Sequence, residues 1–119
     1  MKNYLFFLFL CVLLFCYCSK KEFGNLITVD KFTSVKLLKK YPNNYINKIV
    51  KIKGRVVEES SDGFWINVQD EHFTVSVNFE NEDFSLHSII SNNVIAIGRF
   101  VQTRDGYLIY GKYLKIIER

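Results

Sequence analysis

The fold is decided by one stretch of sequence, residues 45–56, Tyr-Ile-Asn-Lys-Ile-Val-Lys-Ile-Lys-Gly-Arg-Val. Apolar and basic residues alternate within it, and a period of two predicts a β-strand with one face in a core and the other in solvent. Gly54 interrupts the alternation, and a glycine inside a strand usually marks a bulge or a tight bend. We therefore predict a long first strand that curves at Gly54 and pairs with both the second and the fourth strand.

Four more strands and a short helix are predicted downstream. Residues 48–119 contain 18 Val and Ile but a single Ala, which is a β composition. Apolar spacing predicts the helix at 83–90, between the third and fourth strands. The further strands are predicted at 64–69, 73–79, 94–103 and 107–117, with turn signals at Asp62-Gly63 and Asp105-Gly106.

A second helix is predicted upstream, at residues 29–40. Thr28 is a good N-cap, Asp30 follows in the first turn, and Pro42 ends the helix. Apolar residues at helical spacing form one side of this helix and lysines form the other. The apolar side has Phe32, Val35 and Leu38, and the basic side has Lys31, Lys36, Lys39 and Lys40.

The predicted order after this helix is β-β-β-α-β-β. Five strands in that order predict a mainly β fold, the OB-fold, which is a small, partly open Greek-key barrel. A chain of 119 residues is large enough for one such core and too small for a two-domain enzyme with a cleft between its lobes.

A family resemblance agrees with this fold. Residues 45–56, the upstream helix and the Asp105-Gly106 hairpin resemble the tRNA-anticodon-like family of small bacterial OB-fold domains, over about residues 28–119. The periplasmic bacterial OB-fold proteins are similar in design. Some related small lipoproteins have a Gly-Cys-Trp element in the second strand. Gly63-Phe64-Trp65 stands in that place without the cysteine, so the resemblance implies a fold but no thiol or metal role.

The N-terminal residues have the pattern of a secretory signal, because a basic start at Lys2 precedes an uncharged apolar run. The run is shorter than the ~20 residues that a spanning helix needs. It ends in cysteine and so resembles a bacterial lipoprotein signal, in which that cysteine is acylated. Cys18 is the predicted lipidation site because a polar segment follows it; Cys16 is the alternative, and an uncleaved membrane anchor is a third interpretation. The predicted division is signal 1–17, tether 18–27 and OB-fold domain 28–119.

This leader predicts a palmitate-bearing protein of a bacterial cell envelope, in the periplasm or at the cell surface. All three cysteines lie in it, so the predicted domain has no disulfide, cysteine nucleophile or zinc–thiolate site. The formal charge of +4 also arises near the N-terminus, since residues 48–119 have nine Lys and Arg against ten Asp and Glu. That balance disfavours nucleic acid as a partner. The basic residues of the tether and the helix either interact with anionic lipid or simply face solvent, and the sequence favours neither interpretation.

The candidate binding site is a polar strand face around Trp65, the only tryptophan. Aromatic residues on the second and third strands of an OB-fold stack on bases or sugars. As alternatives, Trp65 closes one end of the barrel or packs on the N-terminal helix, and the first-strand cations simply face solvent. Three tyrosines of the last strand either flank this face or pack against neighbouring side chains: Tyr107, Tyr110 and Tyr113. The predicted ligand-binding residues are Trp65, Asn67, Lys51, Lys53, Arg55 and Ser76, with Thr74 and Asn78 extending the polar face.

No catalytic residue, metal ligand or cofactor is predicted. His72 and His87 lack ligand spacing, and Ser60, Ser61 and Ser88 have no recognisable base motif nearby. We therefore predict no enzyme, but a membrane-anchored extracytoplasmic binding module for an envelope component, such as a glycan, peptide or protein. The alternative, by fold analogy, is a single-stranded nucleic-acid-binding domain. A hydrolase or other enzyme is a third hypothesis, without a residue constellation to support it.

Overall fold

The computed structural model describes residues 21–118, so the signal and both lipidation candidates, Cys16 and Cys18, lie outside the described residues. Among these residues no helix combines the length and the apolarity needed to cross a bilayer. The elements are strand β1 (Glu22–Gly24), helix α1 (Val35–Lys40), a single 3-10 turn (Pro42–Asn44) and the strands β2 (Ile49–Glu59), β3 (Trp65–Asp70), β4 (Phe73–Asn78), β5 (Asn93–Thr103) and β6 (Gly106–Glu118).

Strands β2 to β6 form a closed barrel. β2 pairs with β3, β3 with β4 and β5 with β6, all antiparallel, while β4 and β6 pair in parallel. The pairing of β2 with β5 closes the ring. Five strands closed in this way form the OB-fold, so the predicted mainly β class and five-stranded barrel are confirmed. Strand β1 lies outside the ring and pairs with the second half of β6.

The bend predicted at Gly54 is also confirmed. Strand β2 pairs with β5 from Ile49 to Arg55 and with β3 from Arg55 to Glu59. Gly54 lies at this change of partner, where a Cβ atom would overlap the carbonyl oxygen of Gln69. The backbones therefore approach more closely than a side chain at this position allows. A bulge between Val56 and Glu58 adds to the curvature.

The core fills the barrel and both of its ends. Alternate residues of the barrel strands point inward, and most of these are buried. Val35 and Leu38 of α1 close the end at which β3 turns into β4, while the segment after β4 closes the other end. That segment contributes Phe79, Leu86 and Ile89. Both ends are thus closed by chain that lies outside the strands.

The N-terminal helix is shorter than predicted. It begins at Val35, and Ser34 is its N-cap, whose hydroxyl accepts from Leu37 N at 3.2 Å. The predicted start at residue 29 with Thr28 as cap is wrong, because residues 25–33 are irregular and lie along the barrel. We call them the strap. Thr33 N at its end donates to Lys51 O at 2.8 Å, so this backbone is bonded to β2 instead of to a helix.

The helix predicted at 83–90, between the third and fourth strands of the barrel, is also wrong. Leu86 N donates to Gly63 O at 2.7 Å, and the amides of Ser88 and Ile89 donate to the Glu59 carboxylate at 3.1 and 3.2 Å. Ser88 moreover has a φ of 60°, which a right-handed helix excludes. The amides that a helix would use internally are therefore bonded to the end of β2 and the loop that follows it.

Candidate ligand-binding face

The polar residues of β3 and β4 form one continuous outer face. The two strands pair along their whole length, and the residues between the polar ones are buried in the core. Because side chains alternate across a strand, each polar residue faces outward and lies beside a polar partner on the next strand. The pairs are Trp65 with Asn78, Asn67 with Ser76, and Gln69 with Thr74.

A chain of hydrogen bonds fixes the middle pair. The Ser76 hydroxyl donates to Asn67 Oδ1 at 2.5 Å, and Asn67 Nδ2 donates to Glu58 Oε1 at 2.8 Å. These bonds hold the Asn67 amide in one orientation while one N–H and lone pairs on its neighbours remain for a ligand. A polar group fixed before binding loses less entropy when a ligand arrives.

A shallow depression of about 240 Å³ lies on this face. Trp65 is half-buried at its edge, and it belongs neither to the buried core cluster nor to the side chains packed against that cluster. Leu108 of β6 adds an apolar surface, because the parallel β4–β6 register brings it next to Ser76. The residues that line the depression are Trp65, Asn67, Ser76, Asn78 and Leu108, and all five are uncharged.

The turn before Trp65 is fixed by Ser60 and Asp62. The buried Ser60 hydroxyl donates to Asp62 Oδ1 at 2.6 Å and accepts from the amides of Phe64 and Trp65 at 3.0 and 3.1 Å. Hydrogen bonds from Ser60 and then from Phe64 N hold the pKa of Asp62 below its usual value. The backbone at Trp65 is therefore held in place where β3 begins, which positions the indole at the edge of the depression.

Lys51 and Lys53 lie on a different part of the barrel. Their ammonium groups are 4.4 and 5.2 Å from the ring centroid of Phe32, and Lys51 Nζ also donates to Val29 O at 3.4 Å. Both lysines therefore face the strap, over the part of β2 that pairs with β5. They share no surface with Trp65.

Arg55 lies between these two regions. It lines an open cleft of about 420 Å³ together with Lys53, Gln69, Asp70 and Glu71, beside the turn from β3 to β4. Of the six predicted ligand-binding residues, three lie together at the depression: Trp65, Asn67 and Ser76. Arg55 lies at the margin of that face, and Lys51 and Lys53 lie on a different part of the barrel.

The three candidate tyrosines have different surroundings. Tyr107 stacks on Phe100 with ring centroids 5.5 Å apart. Tyr113 is buried beneath the strap, and burial followed by a hydrogen bond to the Glu22 carboxylate raises its pKa. Tyr110 pairs with Asn78 and so extends the outer face by one strand. Only Tyr110 of the three is placed to flank the depression.

Sequence reasoning missed Glu58 and Leu108. Glu58 follows the bulge in β2, and the extra residue there brings it opposite Asn67. Leu108 reaches the face through a parallel pairing between distant strands, which no local pattern reveals. Within residues 21–118 no three His, Cys, Asp or Glu side chains come close enough together to hold a metal ion.

Neither a protein-family model nor a curated protein matches the chain. Among solved structures it is similar to the hypothetical protein YgiW from E. coli, with a TM-score of 0.60 and 18% identity over 80% of this chain and 100% of that one. It is also similar to a putative aspartyl-tRNA synthetase from Leishmania major Friedlin, with a TM-score of 0.62 and 13% identity over 92% of this chain. The chain spans 26% of that synthetase. At such identities these similarities show the fold alone, and they agree with the OB-fold.

Proposed function

We propose that this protein is a non-enzymatic binding module of the bacterial cell envelope, held at a membrane by a lipid on Cys18, and that it binds a neutral glycan on the outer face of β3 and β4. The observation that carries the proposal is the depression on that face. It combines an aromatic ring with fixed amide and hydroxyl groups and has no charged residue in its lining.

These groups suit a sugar ring. A sugar presents C–H groups on its faces, which pack against an indole, and hydroxyl groups at its edge, which bond to amides and hydroxyls. The depression is smaller and shallower than the enclosed sites of about 300–1,000 Å³ that surround small ligands. It therefore suits one or two residues of a longer glycan lying across the strands.

The same lining disfavours single-stranded nucleic acid. Such ligands need a cationic groove along the phosphates as well as rings for stacking. Lys51 and Lys53, which the sequence placed among the ligand-binding residues, have their ammonium groups at the ring of Phe32 on another part of the barrel. Residues 48–119 also have a net charge of −1. The similarity to a synthetase concerns the fold only.

The fluorescence of Trp65 tests the binding proposal, since it is the only tryptophan in the chain. The full-length chain, in a detergent without sugar head groups, is titrated with β-1,4-linked N-acetylglucosamine oligomers and, separately, with single-stranded DNA at low salt. We expect the oligomers to change the emission and the DNA to leave it unchanged. Binding of DNA with a steep salt dependence, and no response to the oligomers, would reject the glycan in favour of nucleic acid.

A pair of variants on one strand pair localises the binding. Asn67→Ala removes the fixed amide from the depression, and we expect it to weaken oligomer binding roughly three- to tenfold, as the loss of one oriented hydrogen bond implies. Thr74→Ala changes the same outer face one pair further along, outside the depression, and we expect it to leave binding unchanged. Equal losses in both variants would contradict this location.

Metabolic labelling with palmitate tests the anchor. We expect label in the wild-type chain and in Cys16→Ser, and no label in Cys18→Ser. An unlabelled wild-type chain would reject the lipid anchor, whereas loss of label only in Cys16→Ser would move it to the alternative cysteine.

A further inference from the structure

The strap leaves apolar side chains in solvent. It crosses the outer faces of β6, β5 and β2 and covers Ile97 and Tyr113, which are 1% and 5% exposed. Two of its own apolar side chains remain largely in solvent, since Leu26 is 71% and Phe32 44% exposed. The strap therefore buries one apolar surface and presents another.

The surroundings of these two residues are basic. Lys21 is exposed just before β1, Lys31 is exposed near the end of the strap, and the ammonium groups of Lys51 and Lys53 lie near the ring of Phe32. Lys115 is half-exposed beside β1, where its ammonium group is 4.0 Å from the Glu22 carboxylate. Asp30 adds a further carboxylate to this surface, and Lys53 borders a cleft that Asp70 and Glu71 also line. We call the surface formed by Leu26, Phe32, Lys21, Lys31 and Lys53 the strap face.

The strap face also lies close to the proposed anchor. Only residues 19–21 separate Cys18 from β1, and a fully extended chain advances at most ~3.6 Å per residue. The start of β1 is therefore within roughly 14 Å of Cys18. A tether this short allows the start of β1 to approach the lipid head groups to within one Debye length, about 8 Å at physiological ionic strength, where charges on this side interact with them.

The strap face is across the barrel from the depression. Strand β5, which the strap crosses, pairs with β2 and β6 and with neither β3 nor β4. A surface that contacts β5 from outside thus points away from the outer face of β3 and β4. A membrane on the strap side leaves the depression open to the opposite side.

We propose that the strap face docks on an anionic phospholipid bilayer, with Leu26 and Phe32 in the head-group region and the lysines against lipid phosphates. Exposed apolar side chains ringed by lysines are the pattern of surfaces that lie in a membrane interface. This proposal rests on the anchor in the proposed function, which brings the strap face to the bilayer. It adds an orientation, in which the ligand-binding face points away from the membrane.

Two single-tryptophan chains test this orientation. The full-length wild type reports from Trp65, and Leu26→Trp combined with Trp65→Phe reports from the strap. Both are reconstituted in vesicles of phosphatidylcholine, with or without phosphatidylglycerol, that contain brominated lipid as a quencher. In anionic vesicles we expect quenching by about half or more from the strap position and little from Trp65. In neutral vesicles, and in anionic ones at high salt, the quenching from the strap falls.

Charge reversals provide a matched control. Lys31→Glu with Lys53→Glu changes the strap face, while Lys48→Glu with Arg104→Glu makes the same charge change at exposed positions before β2 and between β5 and β6. We expect the first pair to abolish the quenching from the strap and the second to retain most of it. If the first pair fails to fold, the salt dependence of the strap signal decides in its place.

The failures are distinguishable by flotation of the vesicles. A chain that does not float with the vesicles lacks the anchor, and this result rejects the docking proposal together with the anchor. A chain that floats, but whose strap tryptophan is unquenched in anionic vesicles, retains the anchor and overturns the docking. Equal quenching from the strap and from Trp65 overturns the orientation.

Discussion

The contact between Gly111 and Phe79 gives a sharp test of the barrel core. Gly111 of β6 faces Gly98 of β5, and a Cβ atom built on it would lie 2.6 Å from Cδ1 and Cζ of Phe79 and closer still to Cε1. Phe79 is fully buried and its ring contacts Phe84, with centroids 5.2 Å apart, so it has no free volume to move into. The substitution Gly111→Ala thus forces one methyl group into a filled core.

The expected cost follows from overpacking. An extra methyl group in a well-packed core destabilises a protein by about 1–3 kcal/mol. For a domain of this size each kcal/mol lowers the melting temperature by roughly 4–8 °C. Shortening the ring with Phe79→Leu removes the overlapping atoms and costs roughly 1–2 kcal/mol by itself. In the double variant the methyl group fills the space that the ring leaves. We therefore expect its cost to be smaller than the sum of the single costs by about 1–2 kcal/mol.

Equilibrium unfolding of the full chain, followed by the fluorescence of Trp65, measures this cycle. Gly54→Ala is the matched control, because its Cβ atom would overlap the backbone oxygen of Gln69, which no shorter side chain relieves. We expect the costs of Gly54→Ala and Phe79→Leu to add within about 0.5 kcal/mol. Additive costs for Gly111→Ala and Phe79→Leu would refute the close contact, and with it the packing at this end of the barrel.

Four further variants test local features. Tyr113→Phe should remove the decline in stability that the wild type shows as the pH rises above 10.0, because a raised pKa means that the folded state holds the phenolic proton more tightly than the unfolded state; unfolding from pH 8 to 11 measures this. Asp62→Asn should flatten the loss of stability below pH 3.8, since a lowered pKa stabilises the fold only while the carboxylate is ionised; acid titration by circular dichroism measures it. Ser34→Ala should cost about 1 kcal/mol in denaturant unfolding through loss of the N-cap. Trp65→Ala should cost about 1 kcal/mol or less of stability in thermal unfolding, because the ring lies outside the core. The same variant should abolish glycan binding measured by calorimetry. A large loss of stability would instead show that Trp65 packs in the core.

Local sequence patterns were sufficient for the barrel strands. Alternation identified the inward residues of β2, β3 and β4, and Gly54 marked the bend at which β2 changes partner. Closure of the barrel requires both the alternation and the glycine. One face of each strand must be apolar to fill the barrel, and the first strand needs a residue without Cβ where two backbones meet.

The two wrongly predicted helical segments show that non-local hydrogen bonds override a local sequence pattern. Residues 83–90 have apolar spacing compatible with a helix, but the Glu59 carboxylate and Gly63 O accept hydrogen bonds from amides in this segment. Thr28 and Asp30 are good signals for the start of a helix, yet Thr33 N donates to Lys51 O. In both cases a distant acceptor satisfies the amide, and the free energy of helix formation over so few residues is too small to compete.

The bend in β2 also explains why the predicted ligand-binding residues lie on two different surfaces of the barrel. Alternation correctly placed Lys51, Lys53 and Arg55 on the outside of the barrel, but it carries no information about which strand lies next to each one. Before the bend the neighbour is β5, so Lys51 and Lys53 lie with the strap; after it the neighbour is β3, so Glu58 meets Asn67. A single curved strand thus contributes cations to one side of the barrel and a carboxylate to the other. If the bend separates the two chemistries in this way, charge reversals at Lys53 should leave glycan binding unchanged, and Asn67→Ala should leave quenching by anionic lipid unchanged. An effect of either variant on the other side's ligand would mean that the two surfaces are one site, and that the barrel does not keep them apart.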